Sequence, residues 1–294
     1  MKFRIACAVA VALTVSSPAS AFSSANPALS SQQAQQDRIV FEARRAVEEE
    51  RYLDAGRIID QALVSGVVDP RLTLLVGELH LVRGRPAEAL TAFAKAQSDP
   101  SSRASALQGE GIALSMLRRS PEAIATLRLA VEADPMAFRA WNALAVELDQ
   151  RGDWAAAEQA YEKAITNANE DAAIYNNRGF SRLLQRRLDE AVADFVAALE
   201  RKPDLATART NLRLAMAVRG EYDQAIAGGQ PAEQAALLNN AGFAAVVRGD
   251  LEQGVALLDR AARARGEYYA RASANLEIAR SLSNENKSVD NADQ

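Results

Sequence analysis

Between residues 138 and 171 the apolar positions follow helical spacing twice, with a short polar break in the middle. They are Trp141, Leu144 and Leu148 in the first run and Ala157, Tyr161 and Ala164 in the second. Spacings of three and four residues predict amphipathic helices, the first from Phe138 to about Gln150. The break is Arg151-Gly152-Asp153, where glycine allows the positive φ that ends a helix. The segment therefore predicts two helices joined by a tight turn.

This two-helix pattern returns along the chain with a period of 34 residues. Alanines mark its register at Ala55, Ala89, Ala123, Ala157, Ala191 and Ala225, and a second set follows at Ala62, Ala96, Ala130, Ala164 and Ala198. Small residues take the eighth position of most repeats, at Ala43, Gly77, Gly111, Ala145, Gly179 and Gly242, with Arg213 as the exception. Large residues precede the second alanines at Ile59, Phe93, Leu127, Tyr161 and Phe195. Small side chains such as Ala145 and Ala157 predict close approach of the paired helices, with Trp141 and Tyr161 filling the space around them. Since no pair buries its apolar faces alone, at least three repeats must stack.

Prolines separate the repeats at Pro70, Pro100, Pro135 and Pro203. Because proline lacks the backbone N–H that continues a helix, these positions predict the end of each second helix.

The residues that carry the pattern most fully are Trp141, Leu144, Ala145, Ala157, Tyr161 and Ala164, followed by Tyr175, Gly179, Ala191, Phe195, Ala198 and Pro203. They resemble the tetratricopeptide repeat (TPR) family. The resemblance implies an all-α fold, a right-handed TPR α-solenoid of six to seven helix-turn-helix repeats and a C-terminal capping helix. Repeats are expected at 36–69, 70–103, 104–137, 138–171, 172–205, 206–234 and 235–269, and the cap at 270–283. The repeat at 206–234 is shortened, because Gly228-Gly229-Gln230-Pro231 interrupts its second helix.

The two ends of the chain lack this periodicity. Lys2 and Arg4 precede an apolar run from Ile5 to Val15, and Ala19-Ser20-Ala21 follows as a small-x-small site. This order predicts a signal peptide at 1–21, cleaved after Ala21, and an exported, periplasmic protein. The apolar run is too short to span a bilayer, which needs roughly 20 residues. Residues 22–35 are expected to form a flexible leader, and residues 284–294 a disordered tail.

The composition of the chain limits the kinds of partner, metal site and catalytic site that it can have. Cys7, the only cysteine, precedes most of the apolar run and so does not stand where a lipid-bearing cysteine would. Removal of residues 1–21 leaves 32 basic and 38 acidic residues, a formal charge of −6, and no thiol. No basic stripe interleaved with aromatics is present, so nucleic acid is not an expected partner. His80, the only histidine, falls on an apolar face, and it has no second ligand or triad partner nearby. We therefore expect no catalytic residue, no metal site and no cofactor.

The first helix of each TPR repeat lines the concave side of the array, so a binding site is expected there. Asn177, Asn211, Asn240 and Asn275 occupy the sixth position of successive first helices, and Asn142, Asn176 and Asn239 occupy the fifth. A side-chain amide offers an acceptor and two donors, which match the donor and acceptor of a peptide backbone. These asparagines are therefore candidate contacts to an extended partner peptide. The alternative is that they bridge neighbouring helices and meet no ligand.

Arginines near the same helices, Arg139 and Arg178 among them, are candidate contacts to acidic groups of a partner. The alternative is that they meet only water. The lysines of the carboxylate clamp that some TPR proteins use are missing from the corresponding positions, so a receptor for C-terminal carboxylates is not favoured.

Two later segments resemble one particular group of TPR proteins. Both are similar to TadD-type TPR proteins of the tight-adherence pilus system. The first runs from Asn176 to Arg201 and begins with Asn-Asn-Arg-Gly-Phe. The second runs from Asn239 to Arg260, together with Ala-Asn-Leu-Glu-Ile-Ala-Arg at Ala274 to Arg280. That resemblance implies a bacterial, exported scaffold with a part in pilus or secretion assembly, binding a protein or peptide partner. The alternative from a different functional class is an accessory subunit that regulates an enzyme of the cell envelope.

Overall fold

The computed structural model describes residues 31–229, 233–264 and 269–292. Within these ranges every regular element is a helix and no strand occurs, so the all-α TPR prediction is confirmed. The helices are α1 (Ser31–Glu48), α2 (Tyr52–Val64), α3 (Pro70–Val82), α4 (Pro86–Ala96), α5 (Arg103–Met116), α6 (Ser120–Ala133), α7 (Phe138–Gln150), α8 (Trp154–Asn167), α9 (Ala172–Leu184), α10 (Leu188–Arg201), α11 (Ala206–Arg219), α12 (Tyr222–Ile226), α13 (Gln234–Arg248), α14 (Leu251–Arg263) and α15 (Tyr269–Ala292).

The helices belong to two compact bodies, which divide between Asn169 and Glu170. The N-terminal body contains α1 to α8, and the C-terminal body contains α9 to α15. In each body a helix packs against the next one in the chain, and the first helices of successive repeats also touch. Two such rows are α1, α3, α5 and α7 in one body and α9, α11, α13 and α15 in the other. This is the helix pairing expected of a repeat protein.

The small eighth position of a repeat packs against the large position of its second helix. A methyl group built on Gly77 would lie 2.5 Å from Cε1 of Phe93, and one on Gly111 would lie 2.5 Å from Cγ of Leu127. Gly179 stands in the same relation to Phe195, at 2.9 Å. Each glycine therefore leaves the space that the large side chain of the following helix fills, and Phe93, Leu127 and Phe195 are fully buried.

The tight turn inside each repeat uses one residue with positive φ, as Gly152 was expected to show. Gly152 has φ of +78°, and glycines also take this position in three other repeats, at Gly84, Gly220 and Gly249. In three repeats the position belongs to Glu50, Arg118 and Arg186, with φ between 57° and 61°. The left-handed conformation is unfavourable for side chains with a Cβ, so packing of the helix pair imposes it there.

Pro70 does not end a helix as the sequence suggested. Helix α2 ends at Val64, and Pro70 is the first residue of α3, after Asp69, whose carboxylate accepts the backbone N–H of Arg71. Proline suits this position because the first N–H of a helix has no partner within the helix. Pro135 and Pro203 do follow the ends of α6 and α10.

The ends of the helical region differ from the expected boundaries. Helix α1 begins at Ser31, inside the segment predicted as a leader, and α15 runs to Ala292, through most of the predicted tail. Neither extension contains a glycine or a proline that would stop a helix. Helix α12 is a single short turn that ends at Ile226, in keeping with the shortened second helix. Residues 1–30, which include the predicted signal peptide and Cys7, and residues 230–232 lie outside the described residues.

Candidate functional site

The asparagines of the C-terminal body form two copies of one arrangement. Asn211 on α11 donates from Nδ2 to Oδ1 of Asn176 on α9 at 3.0 Å, and Asn176 donates in turn to Oδ1 of Asn177 at 3.4 Å. The second copy is Asn275 on α15, which donates to Oδ1 of Asn239 on α13 at 2.9 Å. Asn239 then donates to Oδ1 of Asn240 at 3.3 Å. Each set joins the first helices of two successive repeats through side-chain amides.

The members of these sets differ in burial. Asn176, Asn177 and Asn239 are buried, whereas Asn211 and Asn275 are half-buried and Asn240 is exposed. Asn176 and Asn239 therefore bridge helices, which was one of the two interpretations of the sequence pattern. The carbonyl oxygens of Asn211 and Asn275 accept no hydrogen bond from the part of the chain that the structure describes. Asn211, Asn240 and Asn275 thus keep amide groups available at the surface.

An apolar row, which we did not predict, runs beside the sixth-position asparagines. Phe180, Leu214, Phe243 and Ile278 each follow one of them by three residues, on α9, α11, α13 and α15. Residues three apart lie on the same side of a helix. Phe180 and Leu214 are half-buried, while Phe243 is 37% and Ile278 57% exposed. We name this set the apolar row, and its signal in the sequence is the spacing of three residues from each asparagine.

Arg178 is held inside the C-terminal body by the buried carboxylate of Asp194 on α10. Its Nε lies 3.0 Å from Oδ2 and its Nη2 2.7 Å from Oδ1, a two-pronged contact. Arg182 adds a third bond, from Nη1 to Oδ2 of Asp194 at 2.9 Å. A buried carboxylate requires such partners, because its removal from water is costly. The structure thus gives Arg178 a role in joining α9 to α10.

Asn142 and Arg139 lie on α7 of the N-terminal body, and Asn142 is half-buried there. The Arg139 guanidinium lies 5.3 Å from the centroid of the Phe138 ring and lines a cavity together with Glu78 of α3 and residues of α5. Desolvation by burial raises the pKa of Glu78, while the positive charges of Arg44 and Arg139 act in the opposite direction. The sequence did not indicate this cavity, because its lining combines side chains from several repeats.

His80 is half-buried on α3, in keeping with a structural role, and its Nδ1 is buried without a hydrogen-bond partner in the described ranges. Among the residues that the structure describes, no group of three or more His, Cys, Asp or Glu side chains is placed to hold a metal ion. None of the described helices combines the length and the apolar character needed to cross a membrane.

Comparison with known proteins adds a family match. A tetratricopeptide repeat family profile matches residues 42–103 and 109–172. Protein FlbA of Caulobacter vibrioides is 36% identical over 116 residues, which are 37% of this chain and 19% of FlbA. The chain therefore aligns with only about a fifth of that relative's length.

Solved structures share the fold. A tetratricopeptide repeat protein from Parabacteroides merdae superposes with a TM-score of 0.52 at 14% identity, covering 84% of this chain and 99% of its own. The TPR protein TTC0263 of Thermus thermophilus gives a TM-score of 0.55 at 19% identity, covering 62% of this chain and 98% of its own.

Four observations point to the same repeat family: the helix pairs, the packed glycines, the profile match and the fold shared with these structures. Tetratricopeptide repeats generally serve as non-catalytic scaffolds for protein–protein interaction, and their partners are proteins or peptides. Residues 42–103 and 109–172 are thus tetratricopeptide repeats, and the chain has the tetratricopeptide repeat fold.

Proposed function

We propose that this protein is an exported scaffold that holds an extended segment of a partner protein on the first-helix face of its C-terminal body. The observation that carries the proposal is the pairing of two rows on that face. Surface amides lie at Asn211, Asn240 and Asn275, and the apolar row runs three residues further along each helix. Amides suit a peptide backbone, and partly exposed apolar side chains suit the side chains of the same peptide.

The spacing of the helices fits an extended peptide. Packed helices lie about 8–10 Å apart, and an extended chain advances about 3.3 Å per residue. A peptide that crosses the first helices therefore passes about three residues per helix. Each crossing places one backbone amide near an asparagine and one side chain near the apolar row. Asn176 and Asn239 lie underneath and hold Asn211 and Asn275 in place through the hydrogen bonds described above.

A mutation at the apolar row tests this site. Phe243→Ser combined with Ile278→Ser removes its two most exposed members. The matched control is Leu53→Ser, because Leu53 is 84% exposed on α2 of the other body. Tagged wild type and variants are crosslinked in the envelope of the native host, and captured proteins are quantified by mass spectrometry. We expect the double variant to lose a protein that both wild type and Leu53→Ser retain. The same captured set for all three proteins would rule out this face as the binding site.

Export forms a second part of the proposal. It is supported by the basic start, the short apolar run and Ala19-Ser20-Ala21. Protein purified from the native host should begin at Phe22 when its N-terminus is sequenced. Recovery of the chain with Met1 in the cytoplasm would contradict export.

A part in pilus or secretion assembly is proposed from the TadD-type resemblance of Asn176 to Arg201 and Asn239 to Arg260. It predicts that the partner lost from the Phe243→Ser, Ile278→Ser variant is a component of that machinery, such as a secretin. Genes for a secretin, a secretion ATPase and a prepilin beside this one would agree with it. Identification of an enzyme of the cell wall or of polysaccharide metabolism as the partner would instead favour an accessory subunit.

A further inference from the structure

The face formed by the first helices of the C-terminal body carries almost no charge. The second, sixth, ninth and thirteenth positions of each first helix are three or four residues apart, so they lie along one side of the helix. Arg271 is the only charged residue at these positions of the C-terminal body, all of which the structure describes. The residues are Ala173, Asn177, Phe180 and Leu184 on α9, Thr207, Asn211, Leu214 and Val218 on α11, Ala236, Asn240, Phe243 and Val247 on α13, and Arg271, Asn275, Ile278 and Leu282 on α15.

The fold itself does not require this lack of charge. The same positions of the N-terminal body include Asp37, Arg44, Glu48, Arg71, Glu78 and Arg139. In the C-terminal body, arginines of the first helices bond to carboxylates of second helices, as Arg178 does to Asp194 on α10 and Arg280 to Asp259 on α14. Away from Arg271, a charged side chain of a partner would therefore give up water at this face without gaining an opposite charge.

A second apolar row runs one helical turn beyond the apolar row. It consists of Leu184, Val218, Val247 and Leu282, each of which follows a member of the apolar row by four residues. A step of four residues places two Cβ atoms about 5–6 Å apart. Leu184 is 43%, Val247 60% and Leu282 40% exposed. The face thus combines an edge of neutral amides with a strip of partly exposed apolar side chains two residues wide, which is typical of a binding surface.

The side of α15 that corresponds to the packed eighth position of the earlier repeats is polar. That position holds Glu277, which is exposed, whereas Gly179 and Gly242 pack there against a second helix. A second copy of the chain stacked end to end would meet Glu277 and not Ile278 or Leu282. The apolar strip is therefore left for a different protein.

The spacing of the first helices indicates the backbone conformation of that protein. Packed helices lie about 8–10 Å apart. In a β-strand the side chains that face one way are about 6.6–6.8 Å apart, so they fall out of step with the helices. In a polyproline II helix every third side chain faces the same way, at intervals of about 9.3 Å, so one side chain meets each first helix in turn. Such a backbone has no internal hydrogen bonds, and its N–H and C=O groups remain available to Asn211, Asn240 and Asn275.

We propose that the partner segment is uncharged, adopts the polyproline II conformation and carries an aliphatic side chain at every third residue. The aliphatic side chains contact the two apolar rows, and the backbone bonds to the surface amides beside them. This inference rests on the proposed scaffold function, since it gives the chemistry of the segment that the same face holds.

Synthetic peptides test this chemistry without knowledge of the partner. The first peptide is Leu-Ser-Pro repeated four times, with blocked ends, and the second has the same composition with its leucines at alternate positions. Two further peptides are the first one with Glu or Lys in place of its two central serines. Binding of each labelled peptide to the purified protein is measured by fluorescence anisotropy.

We expect the first peptide to bind on the order of tenfold more tightly than the second, because a leucine that misses the strip loses the burial of an apolar side chain. The Glu and Lys peptides should each bind on the order of tenfold more weakly than the first, since a buried charge would lack a partner. The affinity of the first peptide should not fall between about 0.1 M and 1 M salt, because no ion pair is screened.

Val247→Lys provides the comparison within the protein. Val247 is 60% exposed, so α13 accommodates a lysine there. The variant should bind the first peptide more weakly than the wild type does, and it should bind the Glu peptide at least as tightly as the first. Leu53→Lys is the matched control, because Leu53 is 84% exposed on α2 of the other body, and it should leave every affinity unchanged. Circular dichroism melting verifies that both variants are folded.

Several results would overturn the proposal. They are equal binding or no binding of the first two peptides, tighter binding of a charged peptide by the wild type, and unchanged preferences in Val247→Lys. Binding of phosphatidylcholine vesicles in place of the peptides would make a lipid surface the occupant, and self-association that Val247→Lys abolishes would make it a second copy. Failure here with a successful crosslinking result at the apolar row would reject this chemistry and leave the scaffold function standing. An unchanged set of crosslinked proteins would instead reject the scaffold function at this face.

Discussion

Asn211 donates its side-chain amide to Oδ1 of Asn176 across two successive repeats, over 3.0 Å, and so connects α11 to α9. Asparagine is a poor residue for the interior of a helix, because its amide competes for backbone hydrogen bonds. Here the amides bond to one another instead, and the same contact recurs between Asn275 and Asn239. A polar contact at this point fixes which residues of the neighbouring helices stand opposite each other. It also sets the position of the amides that remain at the surface.

Replacement of Asn176 should therefore affect stability more than replacement of an exposed neighbour. Asn176→Ala removes the acceptor of Asn211 and the donor to the buried Asn177. We expect a loss of about 1–3 kcal/mol in the free energy of unfolding, as for buried groups left without partners. Glu200→Ala on the neighbouring α10 is the control, because Glu200 is exposed, and its cost should stay within about 0.5 kcal/mol. Urea denaturation of both variants measures the difference. Equal losses would assign no bridging role to Asn176.

The contact between Gly77 and Phe93 leads to a second prediction. A Cβ on Gly77 would lie 2.5 Å from the Phe93 ring, so Gly77→Ala forces the ring or the helix to move. Overpacking of this kind costs about 1–3 kcal/mol, more than the gain of about 1 kcal/mol in helix propensity. The variant should melt at a lower temperature than the wild type.

A smaller side chain at position 93 should reduce that cost. In a Phe93→Leu background the added methyl group of Gly77→Ala meets less of the opposing side chain. The two substitutions together should therefore be less destabilising than the sum of their separate effects, by on the order of 1 kcal/mol. Additive effects in this double-mutant cycle would contradict the contact.

Much of the fold is predictable from these repeated positions. The helical spacing of Trp141, Leu144 and Leu148, which recurs with the period of 34 residues, predicted α7 from Phe138 to about Gln150, and the structure has those bounds. That period also marked Gly77 as a small position and Phe93 as a large one, and the structure packs the two against each other. Periodicity succeeds where one local interaction recurs in each repeat.

The turns and the candidate site show where this reasoning stops. Arg118 and Arg186 give no local sign of positive φ, because the conformation is imposed by the packing of the two helices. The sequence positions of the asparagines did not distinguish the buried Asn176, which accepts a bond from the next repeat, from the half-buried Asn211. That distinction depends on side-chain directions in two repeats at once. The Glu78 cavity, which is lined by residues of six helices, was missed for the same reason.

The imposed turns provide a third prediction. Arg186 is exposed with φ of 61°, a conformation that costs a residue with a Cβ about 1–2 kcal/mol. Arg186→Gly relieves this cost. Glycine also makes the unfolded chain more flexible, which lowers the free energy of unfolding by about 0.5–1 kcal/mol. We expect a net gain of up to about 1 kcal/mol, measured by thermal denaturation. The reverse change, Gly152→Ala, should destabilise the protein, since Gly152 has φ of +78° and no neighbouring atom within 4 Å of a built Cβ. A loss of stability in Arg186→Gly would show that the arginine side chain contributes more than its backbone costs.

Glu78 makes the stability of the protein depend on pH. Burial raises the pKa of Glu78 above its usual value of 4.5, so the folded protein holds this proton more tightly than the unfolded chain does. The stabilising effect of the protonated carboxyl is fully present below the unfolded pKa. It is lost as the pH rises through the folded pKa. Glu78→Gln mimics the protonated form at every pH. We therefore expect the melting temperature of Glu78→Gln to exceed that of the wild type at pH 7 and the difference to shrink towards pH 4.

Glu122 is the control, because its pKa is shifted in the opposite direction from that of Glu78. Its hydrogen bonds from Arg119 lower its pKa, so this exposed carboxylate stabilises the folded protein above its unfolded pKa and loses that effect as the pH falls. Glu122→Gln should thus lower the melting temperature slightly at pH 7 and have no effect at acid pH, since exposed ion pairs contribute little. Paired melting curves between pH 4 and pH 7 separate the two residues, because a general effect of charge would move both variants in the same direction. If the advantage of Glu78→Gln grew towards acid pH, the Glu78 carboxylate would be stabilised by Arg44 and Arg139 more than it is destabilised by burial.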